Sequence, residues 1–135
     1  MSERKRFDKV LIRIGALMQT ETRWHHDIAY FFAGAFFANT IPHLVNGISG
    51  LPFQSPFALP PGRGVSSSTV NVLWGMFNLA IAYVLVARVG RFDLRRTRNV
   101  VVLGLGALIM ALMLARHFGE STAFRVARAV EAAGI

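Results

Sequence analysis

With 135 residues the chain has room for one domain, yet its 53% hydrophobic content and mean hydropathy of +0.44 exceed what a small soluble core needs. The net charge of +8 lies in short stretches beside apolar runs and carries no RNA- or DNA-binding signature, which argues against nucleic acid and for anionic lipid head groups. A sequence without cysteine excludes disulfides, thiolate metal sites and cysteine nucleophiles.

No charged residue occurs between Asp27 and Arg63, or between Arg63 and Arg88. Such segregation predicts an all-α integral membrane protein, with three transmembrane helices flanked by amphipathic interfacial helices. Residues 1–27 form the first of these flanks. Phe7, Val10, Leu11, Ile14, Leu17 and Met18 recur at helical spacing opposite Arg6, Lys9 and Arg13, so the helix is expected to lie on the membrane surface. Glu21 and His25 are one turn apart in "ETRWHHD", which reads as an interfacial polar collar rather than a metal site.

The first span is expected over 28–48, with Trp24 and Tyr30 near its inner end, where amphipathic rings prefer to sit. A loop follows over 49–68. Pro52, Pro56, Pro60 and Pro61 stiffen it, while Phe53, Phe57 and Leu59 make it too apolar for a solvated linker. It is expected to cap the bundle or to meet a neighbouring protein, and Ser68 is the expected N-cap of the second span, 69–87.

A basic loop, 88–98, leads to the third span, 99–117, whose Gly104, Ala107, Ala111 and Ala115 make a small-residue face for close helix packing. Gly119 is the expected C-cap. Beyond it, residues 118–135 read as an amphipathic tail through Phe124, Ala127 and Val130, with Arg125 and Arg128 turned away.

Eleven Lys and Arg residues lie in 1–27 and 88–98, against four on the other side: Arg63 in 49–68, Arg116 at the end of the third span, and Arg125 and Arg128 in the tail. That bias places the N-terminus in the cytoplasm and the C-terminus outside a cell's inner membrane. Arginine outnumbers lysine 13 to 2, as suits a GC-rich bacterial genome.

Chemistry concentrates at the two sides of the 49–68 loop. Asn39, His43 and Asn46 fall on one helical stripe, and Asn71, Gly75 and Asn78 on another. Antiparallel spans bring Asn46 level with Asn71, His43 level with Gly75, and Asn39 level with Asn78. Amides facing lipid would lose their hydrogen bonds, so the stripes should face each other or a third element. They read either as a clasp between helices or as an outward-opening pocket for a small ligand, with His43 its one titratable member and candidate catalytic group.

No catalytic constellation, metal site or cofactor motif accompanies them, and no ionisable relay crosses the spans. The expected role is therefore a non-catalytic accessory or assembly subunit of a larger membrane complex, its partners being the lipid bilayer and other membrane subunits or its own copies. The alternative is a small enzyme or binder of a lipid-like ligand at His43. A third reading is a homo-oligomeric channel or carrier lined by the asparagines.

Overall fold

Long apolar runs without charge must satisfy every backbone polar group internally, and here each becomes a helix. In the computed structural model, which describes residues 3–19 and 24–133 but not the side chains of 15–19, 123–125 and 128, the described residues form four helices and one small ladder. The helices are α1 (Glu3–Gln19), α2 (Trp24–Ile48), α3 (Ser68–Arg88) and α4 (Thr97–Ala133). The protein is all-helical apart from strands β1 (Phe53–Gln54) and β2 (Val65–Ser66), which pair antiparallel inside the 49–68 loop. Helices α2, α3 and α4 are long and apolar enough to cross a membrane. The expectations placed on Leu17, Met18, Glu21, Arg23, Phe124, Arg125 and Arg128 concern side chains outside the description.

Helix α2 is the centre of the bundle and packs on both α3 and α4. In its apolar window 44% of residues are buried, against 22% for α3 and 6% for α4, so the outer two helices keep most of their apolar surface exposed. The buried face of α2 is built from small residues, Ala29, Ala33, Gly34, Ala35, Ala38 and Gly47. Small side chains let backbones approach, which supplies van der Waals contact where lipid removes the usual hydrophobic drive.

Two glycine pairs set the crossings. A Cβ on Gly34 would overlap the Leu103 carbonyl, and one on Gly106 would overlap the Phe31 carbonyl, so α2 and α4 meet backbone to backbone. Between α2 and α3, a Cβ on Gly47 would lie 2.9 Å from the Ser68 carbonyl, and one on Gly75 would lie 2.8 Å from the Leu44 side chain. The close approach of α4 thus uses Gly106 and Ala107. Gly104 has open space around it, and Ala111 and Ala115 are exposed, so of the expected small-residue face only Ala107 meets α2 and the rest points outward from the bundle.

Three boundaries differ from the sequence expectation. Helix α4 runs through Gly119 to Ala133 instead of ending near 117 and restarting as a separate tail. A mid-helix glycine costs only about 1 kcal/mol relative to alanine, and the alanines and arginines beyond it are good helix formers. The Arg116–Glu120 pair, 3.0 Å apart, bridges that turn. Helix α2 begins at Trp24, before its fully apolar run. The N-cap of α3 is Ser67, whose side chain accepts from the Val70 amide, one residue earlier than expected.

At the arginine-rich end, Arg98 at the start of α4 bonds Asp27 of α2 at 2.6 Å. Tyr30, 2% exposed, sets its ring edge against Phe92 at 5.0 Å and its hydroxyl against Gly90. These contacts hold the 89–96 turn to α2, leaving Arg91, Arg95 and Arg96 exposed.

Candidate functional site

The two polar stripes meet across the α2–α3 seam at the end opposite the arginine-rich turn. Deepest is Asn39, whose Nδ2 donates to Asn78 Oδ1 at 3.0 Å. Asn78 in turn donates from Nδ2 to the Trp74 carbonyl of its own helix at 2.7 Å, which fixes its amide with oxygen toward Asn39. Asn78 is fully buried, while Asn39 is half-buried at the edge of the seam.

Asn71 is the hub one level outward. Its side chain is fully buried, and its Nδ2 lies 3.1 Å from the Phe53 carbonyl, 3.1 Å from the Ser66 carbonyl and 3.0 Å from the Ser67 carbonyl. An amide nitrogen has two hydrogens, so one is shared between acceptors. Because three carbonyls fix the nitrogen side, the Oδ1 faces His43, and His43 Nδ1 donates to it at 2.8 Å. That choice makes Nδ1 the protonated nitrogen of a neutral His43 and leaves the lone pair on Nε2. The ring, 3% exposed, stands edge-on to Phe53 at 5.5 Å and to Trp74 at 6.4 Å.

The pairing differs from the depth argument by one turn. His43 meets Asn71 instead of standing opposite Gly75, whose missing Cβ makes room for Leu44. Asn46 bonds the Pro42 carbonyl of its own helix at 2.8 Å and takes no part across the seam. The β ladder explains the shift: it brings the Phe53 and Ser66 carbonyls over the helix ends, and Asn71 turns outward to satisfy them.

The 49–68 loop is accordingly a closed lobe. Phe53 pairs with Ser66 and Gln54 with Val65, and the Ser55 and Ser66 hydroxyls lie 2.6 Å apart. The Ser55 hydroxyl also accepts from the Phe57 amide, and the Ser55 carbonyl accepts from Gly62 at 3.0 Å. Gly62 turns at a φ of 72°, a conformation glycine adopts without steric cost. All three long apolar helices touch the lobe. Phe53 packs against Phe118 of α4 at 4.7 Å, His117 of α4 donates from Nε2 to the Gly62 carbonyl at 2.9 Å, and Phe57 stands edge-on to Trp74 of α3 at 5.1 Å.

Of the loop residues expected to face a partner, Phe53 is turned inward, whereas Phe57 and Leu59 remain exposed at 63% and 90%. Ser55, Trp74 and Phe118 carry no signal in the sequence; Ser66 reads there as turn chemistry and His117 as the end of the third helix, whereas α4 continues to Ala133 and His117 turns to the lobe. The serines look like ordinary turn chemistry, and the pairing of His117 with a carbonyl 55 residues away leaves no local signal. Beside the lobe, Phe57, Val70, Leu73, Trp74 and Phe77 line an open apolar groove of about 340 Å³. The indole Nε1 of Trp74 is buried with no partner among the described residues. Among those residues, no three His, Asp or Glu side chains converge to hold a metal ion.

No family model, curated protein or solved structure matches the chain.

Proposed function

We propose that the protein is a small non-catalytic subunit that assembles with other membrane proteins in a bacterial inner membrane. In this reading the arginine-rich end and the N-terminus face the cytoplasm, following the bias of eleven Lys and Arg against four. The observation that carries the proposal is α4. Its 37 residues make a rod of about 55 Å, far longer than a hydrocarbon layer of about 30 Å. It offers the exposed Gly104, Ala111 and Ala115 along one stretch, and exposed Val126 and Val130 beyond the span. The polar residues that could have served chemistry are spent instead on the seam and the lobe, as expected of a scaffold.

Extraction from the native host in mild detergent should give a hetero-complex well above the 14.9 kDa of the chain. Gly104→Leu combined with Ala111→Leu should release the subunit from that complex without unfolding it, because neither position contacts the bundle closely. Isolation as a lone monomer, with no partner captured in cells, would refute the proposal.

A second reading rests on the open apolar groove beside Trp74 and His43. A lipid-like molecule could lay its chain along Phe57, Leu73 and Phe77 and against the Trp74 ring. A lipid that co-purifies with the wild type and is lost from Trp74→Ala would favour it. Equal lipid content in both proteins would dismiss it. The channel reading draws no support from a seam filled by its own hydrogen bonds.

A further inference from the structure

We propose that α1 binds an anionic phospholipid surface, lying flat on the same bilayer that α2 crosses and next to the arginine-bearing 89–96 turn. The inference rests on α2 crossing a membrane and is independent of the assembly role.

Three observations point to it. First, Phe7, Val10, Leu11 and Ile14 form one arc of α1, and all four are exposed, while the bundle packing is carried by α2 with α3 and α4. An apolar arc left in water calls for an occupant. Second, the rest of the helix supplies the complementary charge for phosphate. Lys5, Lys9 and Arg13 lie away from the apolar arc, together with the exposed Ile12, and Arg4 and Arg6 border it on either side, all exposed. Glu3, at the N-terminal end of the apolar arc, and Asp8 are the only acids on the element. Third, the tether is short. Gln19 and Trp24 are joined by a linker that spans at most about 18 Å, so α1 cannot leave the neighbourhood of the membrane entered by α2.

The adjoining end strengthens the field. Arg88, Arg91, Arg95 and Arg96 are exposed there, with Asp93 as the exposed acid, while Arg98 is engaged by Asp27. Arginine and lysine flanking a buried apolar arc sit at the depth of the phosphates, where each adds to the attraction within a Debye length. A soluble acidic protein or a nucleic acid would meet the charges but leave the apolar arc wet, and an uncharged protein groove would ignore the charges. An anionic bilayer satisfies both faces together.

The cysteine-free sequence permits a direct test on the full-length chain. Leu11→Cys on the apolar arc and Lys9→Cys on the basic arc are each labelled with a fluorophore and reconstituted into phosphatidylglycerol-rich or pure phosphatidylcholine vesicles. Collisional quenching from the aqueous phase is then measured. The Leu11 label should be several-fold better protected in the anionic vesicles than in the neutral ones, and the Lys9 label should remain quenchable in both. High salt, or Arg4→Gln with Arg6→Gln, should reduce the protection in anionic vesicles toward the neutral level. Equal quenching of the Leu11 label in both lipids overturns the proposal. So does protection that arises only after soluble protein or nucleic acid is added.

Discussion

Asn71 joins four partners that no other side chain could join from that position: His43 across the seam, and the carbonyls of Phe53, Ser66 and Ser67. Removing the amide strands these groups in a dry site, where an unmet polar group costs about 1–3 kcal/mol. Asn71→Leu should therefore destabilise the protein by about 2 kcal/mol or more, measured by SDS-induced unfolding in mixed micelles. Asn46→Leu, which loses a single bond within its own helix, should fall within about 0.5 kcal/mol of wild type. Equal losses at the two sites would contradict the assignment of Asn71 as hub. The same geometry fixes the His43 tautomer: nitrogen NMR of the neutral ring should show the proton on Nδ1. His43→Asn, which can place a donor near that nitrogen, should retain more stability than His43→Leu.

At the scale of elements, glycine positions decide how the helices cross. Gly34→Ala and Gly106→Ala each thrust a methyl into the backbone of the facing helix, where no rotamer change can relieve the overlap. Each should cost about 2–3 kcal/mol in an unfolding titration, as overpacking does, whereas Gly104→Ala should be neutral or slightly stabilising. If Gly104→Ala were the harmful change, the α2–α4 crossing described above would be misplaced. The sequence made the three long apolar helices legible because uncharged runs near twenty residues long have few other fates. It also marked Asn39 and Asn78 as a level pair, since both lie seven residues, about two turns, inward from Asn46 and Asn71 beside the loop. It could not reveal which of Gly104 and Gly106 faces α2, because the two are close in sequence and only tertiary contact separates them. Nor could it foresee α4 running on through Gly119, where local alanine and arginine content outweighs one glycine. The His43–Asn71 pairing was hidden for a related reason: it depends on the β ladder, whose two-residue strands lack any periodic signature.

For the whole molecule, the lobe is held by each of the three long apolar helices. His43 and Asn71 fasten it through α2 and α3, and His117 and Phe118 fasten it through α4. Arg63 sits within it, the single Lys or Arg between Asp27 and Arg88. Although its side chain is exposed, its backbone is folded into a turn in which the Arg63 and Gly64 amides bond the Pro60 carbonyl at 3.1 and 2.8 Å. A protease needs that segment extended, so trypsin added to the lobe side of sealed vesicles should cut slowly at Arg63 in the wild type and faster in Asn71→Leu or His117→Ala. Unchanged cleavage in both variants would mean that the lobe holds itself closed. If the latch works as described, Arg63 becomes a built-in seal of manufacture. A chain whose α4 has not yet docked lacks its third fastening and leaves the Arg63 bond open to proteases, and only the fully packed chain folds that bond away.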